Sequence, residues 1–458
     1  MTLTREDPAL ASPVEDEEQL IDFFRSGEKP CTDWRIGTEH EKVGLYRDTL
    51  QPIPYEGERG IGALLSELER DHGFSPLFDA GRLVGLERDA TSITLEPGGQ
   101  LELSGAPLMT LHETCREFHD HLALMKHCSE RFGMVWLGLG MHPLARVEEL
   151  PRMPRERYTI MREYLAKRGN LALEMMHATG SVQVNLDYLS EADLARKLRV
   201  ELAASPIVTA LYANSSISGG KPNGFISRRA WVWRHTDPDR CGLLPFAFSE
   251  GWDEDGAYRS YLEWALDVPM LFIRREDRHL PMRGRTFRDY LAHGHEHYRA
   301  SLADWNLHVT TLFPEVRLKR VLEIRSADAV PPGLVCALPA FWKGLLYDEA
   351  ALDAAWTRLR GWSFDEVDRL QEQVAREALA AQTPDGPVLA LAKELVDLAA
   401  SGLRNLDERN RAGEDERLFL DPLYEILDRG ASPGRYILER WDDAWRRSTD
   451  QLVEYSKY

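Results

Sequence analysis

Four segments of the chain alternate apolar and polar residues with period two, the pattern of a strand that buries one face and keeps the other polar. In Arg35–Tyr46 the polar face carries Glu39 and Glu41. In Ser181–Tyr188 it carries Ser181, Gln183, Asn185 and Asp187, opposite Val182, Val184, Leu186 and Tyr188. Arg317–Arg325 reads as a third strand, with Glu323 and Arg325 on one side and Leu318, Leu322 and Ile324 on the other. Thr91–Leu103 contributes Glu96 and Glu102, but Pro97-Gly98-Gly99 interrupts it, so counting does not say whether those two carboxylates share a face.

Helical spacing takes over elsewhere. Ser190 and Asp193 make a capping-box pattern ahead of Leu194, Leu198 and Leu202, which predicts a helix opening at Ser190. Ser363 with Glu366 opens a second amphipathic stretch to about Ala381. Thr383-Pro-Asp-Gly-Pro387 ends it, and a further helix is predicted over Val388–Ala400. From about Phe341 onward the pattern is mostly helical, with a charged connection near Arg404–Glu416. Strands before residue 330 and helices after it predict an α+β fold rather than a βαβ array.

Composition narrows the function. The chain has 458 residues, enough for one very large domain or a main domain with additions, and its 43% hydrophobic and 29% charged content is ordinary for a globular protein. A formal charge of −19 counts against nucleic-acid binding, which needs a surplus of Lys and Arg. It leaves room for an anionic substrate if metal ions or local arginines offset the field. The longest apolar patch, Met134–Met141, is strand length, so no membrane span is expected. Asp7, Glu15, Asp16, Glu17 and Glu18 speak against a targeting peptide, and a cytoplasmic location is expected. Five Cys without a CxxC pair point to neither a disulfide framework nor a zinc site.

Taken singly, each polar face is an ordinary solvated sheet surface. Taken together they are not, because glutamates at i, i+2 repel, and several converging in one cavity call for cations. Magnesium suits an oxygen-only site and shares its coordination with substrate phosphates. Carboxylates with arginines and amides on facing strands are what phosphoryl transfer from a metal–nucleotide requires.

An ordered series of motifs then carries a resemblance. Gly37-Thr-Glu-His-Glu-Lys42, Leu95-Glu-Pro-Gly-Gly-Gln-Leu-Glu-Leu-Ser-Gly-Ala-Pro107, Val182-Gln-Val-Asn-Leu-Asp187 and Gly220-Lys-Pro-Asn-Gly224 resemble glutamate–cysteine ligase of the plant and proteobacterial type. So do Ala265–Met270, Thr310–Arg317, Leu322–Asp328 and Pro339–Tyr347, so the likeness covers roughly residues 35–350. It implies a glutamine-synthetase-like antiparallel sheet curled into a cup, with helices outside. With it the chain divides into a flexible tail over 1–13, read from its own sequence, a catalytic domain over 14–350, and a helical C-terminal region over 351–458 expected to pack on that domain. The family phosphorylates the γ-carboxyl of L-glutamate with ATP and Mg2+, then lets the amine of L-cysteine displace phosphate. The alternative is a related ligase with another amine acceptor.

By motif position the resemblance implies Glu39, Glu41, Glu96, Glu102 and Glu323 as metal carboxylates, with Glu323 and Arg325 catalytic. It implies Gln183 and Asn185 at the ATP–metal face, and Arg229 with Trp233 at a substrate carboxylate. Cys115 and Cys336 fall where the plant-type family carries a regulatory disulfide. The expected partners are small molecules, with no nucleic acid and no membrane, in a monomer or homodimer. The chain departs from the family around Arg228, Trp231, Arg234 and His235, where Trp233-Arg-His-Thr-Asp237 replaces the usual Trp-Thr-Asp/Glu-Thr-Asp. Those changes bear on the acceptor amine more than on the ATP chemistry.

Other signals weigh less. Gly219-Gly220-Lys221 lacks the Walker spacing and reads as a turn. His293, His295 and His297 lack an evident third zinc partner, and Trp231 and Trp233 read as packing residues before a stacking platform.

Overall fold

The computed structural model describes residues 10–252, 256–276 and 278–458. Its centre is an open sheet of nine strands: β1 (Ile36–Tyr46), β2 (Ser75–Asp79), β3 (Arg82–Arg88), β4 (Thr91–Leu95), β5 (Leu101–Ser104), β6 (Met134–Leu137), β7 (Ser181–Leu186), β8 (Val316–Leu318) and β9 (Leu322–Asp328). The order is β8-β9-β7-β1-β5-β4-β3-β2, with β6 on the far half of β1, and every pairing is antiparallel. The long β1 pairs with β5 and β7 over its first half and with β6 over Val43–Tyr46.

One expectation needs correcting here. Arg317–Arg325 is a hairpin rather than a single strand: Lys319 donates its N–H to the Val321 carbonyl at 2.9 Å, and Arg317 faces Glu323 across the turn. Arg320 and Val321 break the alternation at the turn, a signal that the outer residues, which alternate on both sides of it, masked. The break at Pro97–Gly99 is also a hairpin, and it puts Thr94 opposite Glu102. Gly98 is required there, since a Cβ would come within 2.0 Å of the His177 carbonyl oxygen.

Seven helices matter for the site: α1 (Leu111–Arg131), α2 (Ala172–Ala178), α3 (Glu191–Tyr212), α4 (Arg228–Arg234), α5 (Ala337–Leu346), α6 (Phe364–Glu377) and α7 (Val388–Leu406). Ser190 caps α3 through the Asp193 N–H, and Ser363 with Glu366 forms the full capping box of α6, as the sequence predicts. Helix α3 is buried from Leu194 to Tyr212 apart from Arg196, because it lies between the apolar back of the sheet (Ile36, Val182, Val184, Leu186) and the C-terminal helices. Within it Glu201 is fully buried, and neither of its carboxyl oxygens has a hydrogen-bond partner among the described residues.

The C-terminal region is continuous with this core. Leu338, Phe341 and Trp342 of α5 and Leu391, Leu395 and Val396 of α7 belong to the same apolar cluster as α3. Helices α5 and α7 cross where both lack a side chain: a Cβ on Gly402 would stand 1.8 Å from the Gly344 carbonyl oxygen. Of the expected tail, residues 1–9 lie outside the described residues. Leu10 is buried and Pro13 pairs with Ser301, so the segment is anchored by residue 13.

Candidate active site

Antiparallel register decides which side chains share a face. Glu39 stands beside Gln183 and Ser104, Glu41 beside Glu102, and Asn185 beside Glu323. Glu39, Glu41, Glu102, Gln183, Asn185 and Glu323 therefore project to one side of the sheet, with Arg317 in register at its edge. Their apolar neighbours in sequence face the helices. Above this face a cavity of about 600 Å³ is lined by Glu39, Glu41, Glu96, Gln183, Arg229, Trp233, Arg317 and Arg325, with Met161, Met175 and Met176 at one wall. Glu102 and Glu323 lie deeper and are fully buried.

The carboxylates are not in equivalent surroundings. Glu41 accepts the Ser181 N–H at 2.8 Å; burial, with Glu96 and Glu102 nearby, pushes its carboxyl up to about 8. Glu39 accepts from the Asn185 amide at 3.3 Å and is pushed up by burial and by Glu323. Glu102 accepts the Thr94 hydroxyl at 2.7 Å. Tyr158, which donates to the Leu95 carbonyl at 2.6 Å, also lies 3.5 Å from Glu96.

Glu323 is the opposite case. Burial alone would raise it, but Arg317 at 2.5 Å, Lys319 at 2.6 Å and Arg325 at 2.6 Å hold it well below the usual carboxylate range. Arg325 also donates to Gln183 at 2.6 Å and lies against the Trp233 ring, 5.5 Å from its centroid. Arg229 is buried beneath them and donates to the Arg325 carbonyl at 2.9 Å.

Three residues that sequence reasoning left without a role support this arrangement. Arg317 spans from Glu323 to the carbonyls of Thr310 and Leu312 at 2.7 and 2.9 Å, which fixes the hairpin edge. Asp328 accepts from Ser215 at 2.7 Å and from Ser227, the cap residue of α4, at 2.9 Å. It thereby ties α4, with Arg229 and Trp233, to β9. Gln371 reaches the site from α6. Asp328 and Arg317 stand in motifs already singled out; Gln371 comes from outside them.

The departures around α4 find local partners. Arg228 holds Glu174 of α2 in a two-pronged pair at 3.0 and 3.0 Å, and Trp231 packs between Phe225, His235 and the Arg376 guanidinium. Arg234 pairs with Asp368 of α6 at 2.7 and 3.0 Å. Gly219 and Gly220 form the expected turn, both with positive φ. His293 ends a short helix, His295 pairs with Tyr298, and among the described residues no three His, Cys, Asp or Glu side chains form a ready-made metal site. Cys115, on α1, and Cys336, at the start of α5, form a disulfide with Cα atoms 5.8 Å apart.

What a cation would find here is an oxygen-only donor set under mutual repulsion. Glu39 and Glu41 are both pushed up, and a divalent ion would relieve them. No three of them converge closely enough to hold an ion unaided, so the donor chemistry fits magnesium only with its coordination completed by oxygens from a phosphate ligand.

Comparison with known proteins places the chain in a family. The model of glutamate-cysteine ligase family 2 (GCS2) matches residues 35–454. The chain is 42% identical to the chloroplastic glutamate–cysteine ligase of Medicago truncatula over 456 residues, covering 99% of this chain and 87% of that one. It is likewise 42% identical to that of Arabidopsis thaliana, covering 99% and 85%. Among solved structures, glutamate–cysteine ligase from Francisella tularensis in complex with AMP superposes with a TM-score of 0.56 at 12% identity, over 94% of this chain and 88% of that one. That likeness is one of fold. The cytoplasmic location expected above gains no support from relatives named as chloroplastic; no helix among the described residues is long and apolar enough to cross a membrane.

Proposed function

The chain belongs to glutamate–cysteine ligase family 2, and on that premise we propose how its cup joins the γ-carboxyl of L-glutamate to the amine of L-cysteine. A carboxylate is a poor electrophile because its leaving group would be oxide. ATP solves this: a γ-carboxylate oxygen attacks the terminal phosphorus, ADP leaves, and the resulting γ-glutamyl phosphate carries a good leaving group. The cysteine nitrogen then bonds to the γ-carbon, the carbon–oxygen bond to phosphate breaks, and the nitrogen sheds its proton. The product is γ-glutamylcysteine, the first intermediate of glutathione synthesis.

Within that scheme Glu39, Glu41, Glu96 and Glu102 would hold magnesium together with the ATP phosphates, and Gln183 and Asn185 line the same face. Glu323 stands in the same row, but its oxygens are shared by three cationic side chains, so its first task is to aim Arg325. Bound magnesium would neutralise charge on the transferring phosphoryl group. Arg325, held between Glu323 and Gln183, supplies a fixed guanidinium to the same charge. Arg229 and Trp233 take a substrate carboxylate. The AMP in the Francisella tularensis relative supports a nucleotide in this cup. The observation that carries the reading is the register that puts Glu39, Glu41 and Glu102 on one face with Arg325 beside them.

The test is ADP release with Mg2+, ATP and L-glutamate, before and after adding L-cysteine, with γ-glutamylcysteine sought by mass spectrometry. Cysteine-stimulated release with that product is the expected result. Stimulation only by another amine would move the acceptor, and no release at all would sink the reading. The Cys115–Cys336 bond makes activity sensitive to reductant; Cys115→Ser should remove the difference between assays with and without dithiothreitol.

A further inference from the structure

The disulfide joins two helices that are far apart in the chain. Cys115 lies one turn into α1, and Cys336 stands at the start of α5, 221 residues on. A second tie links the same two helices. Glu416, fully buried, sends its carboxylate between them. One oxygen accepts the N–H of Leu111, the first residue of α1, at 2.5 Å, and the other faces the Lys343 ammonium of α5 at 2.7 Å. Lys343 is itself buried and donates to the Met109 carbonyl, just ahead of α1, at 3.4 Å.

The two ties are spaced along the pair. Leu111 precedes Cys115 by four residues, about 6 Å of helical rise, whereas Lys343 follows Cys336 by seven, about 10 Å. They therefore come in opposite order on the two helices, one at each end of the contact. The segment that presents Glu416 is fixed without help from the sulfurs. Glu416–Leu420 forms a short 3-10 turn opened by Asp415, which accepts the Arg417 N–H at 3.0 Å. The turn packs on α5 and α7, Leu420 enters the main core, and Phe419 meets the His112 ring of α1 with centroids 5.2 Å apart.

A reductant removes one of these ties and leaves the other. Two thiols on separate helices close into a disulfide to the extent that the fold keeps them together, as an effective concentration. A buried ion pair repays little of its desolvation cost as stability; what it supplies is a fixed position. We propose that Glu416 is a positioning residue for the Cys115–Cys336 couple: through Leu111 and Lys343 it keeps α1 and α5 aligned in the reduced protein, so that the bond can close again. This rests on the reductant-sensitive bond put forward above and needs nothing of the ligase chemistry.

Closure is thiol–disulfide exchange. With oxidised dithiothreitol as the oxidant, the Cys115–Cys336 bond forms and the S–S bond of the reagent breaks. The cysteines are oxidised, and the reagent leaves reduced, as a dithiol carrying both cysteine protons. The test is the equilibrium of that exchange in the full chain, held in graded mixtures of reduced and oxidised dithiothreitol and read by alkylation and mass spectrometry. Glu416→Gln keeps the shape and removes the charge. Its equilibrium constant for closure should fall about 10-fold below wild type, a shift of about 30 mV toward easier reduction.

Thermal melts give a second readout. The variant should lose more in the reduced form than in the oxidised form, where the sulfur bond still holds the helices. Lys343→Met keeps the stem, should shift closure in the same direction, and covers the case in which Glu416→Gln fails to fold. An unchanged closing constant, with equal losses in both redox forms, would make Glu416 a structural residue and overturn the proposal; so would a shift toward harder reduction. A wild type that stays reduced in every mixture would overturn both the tie and the regulatory bond. Activity indifferent to dithiothreitol, with closure weakened in Glu416→Gln, would uphold the tie and sink the regulatory role alone.

Discussion

Glu41 and Glu323 stand on the same face of the same sheet, two strands apart, and their surroundings act in opposite directions. Glu41 lies among Glu96 and Glu102 and is pushed up to about 8, whereas Glu323 lies among Arg317, Lys319 and Arg325 and is held well below its usual range. Residue type is the same, and Glu323 is the more deeply buried, which alone would raise it further; its neighbours reverse the direction. One half of the cup is short of positive charge and the other already holds its own. The lesson is that a row of glutamates need not be a row of metal ligands: the unsatisfied end recruits a cation, and the satisfied end orients a guanidinium.

The sharpest way to break this contrast is Glu41→Gln. ADP release should fall at least about 1000-fold while the fold persists, because a carboxylate that recruits the metal is removed and a repulsion goes with it. Normal turnover would show that the unsatisfied end recruits nothing. Glu323→Gln should act on stability first, costing about 3 kcal/mol in urea unfolding, since Arg317, Lys319 and Arg325 lose their buried partner. Its sign with pH follows from the depressed carboxyl. The Glu323 contribution is complete above the unfolded value near 4.5 and is lost as pH falls below it, so wild type and variant should converge in acid.

Arg325→Ala should cut kcat about 100-fold with ATP KM nearly unchanged; equal losses in both would make Arg325 a binding group only. The smallest effect belongs to a carboxyl outside the cup. Burial in α3 pushes Glu201 up to about 8, so it is neutral in the folded chain where the unfolded chain is ionised. Stability from this group therefore declines as pH rises from about 4.5 to 8. Glu201→Gln should gain about 2 kcal/mol on wild type between pH 5 and pH 8, read in thermal melts at both. A flat difference would mean that Lys197, its nearest opposite charge, already neutralises it.

The parts of this arrangement that were legible in the chain are those written in local periodicity. Period two assigned Glu39 and Glu41 to one face and Gln183 and Asn185 to another, and the caps at Ser190 and Ser363 marked two helices. Register was not legible. That Glu41 faces Glu102 depends on pairing between strands far apart in the chain, and that Arg317 folds back onto Glu323 depends on a turn marked only by the local break at Arg320-Val321. Glu315 lies within the Thr310–Arg317 motif, but no role could be read for it, because the residues around it come from α4 and α6, some 80 and 56 residues away in the chain. The division at residue 350 was drawn where the family motifs end, and Gln371, beyond it, lines a cavity with Arg229, Trp233 and Arg325.

The contact between Gly344 and Gly402 extends further than the two helices that make it. Cys336 stands at the opening of α5, eight residues before Gly344 on the same helix, so the spacing that glycine permits near one end bears on where the sulfur at the other end lies. A methyl group at residue 402 would wedge α7 away from α5 and carry one half of the Cys115–Cys336 bond with it. A residue that contains no sulfur and lies 66 positions beyond the nearer cysteine thus bears on the placement of the disulfide through a single helix.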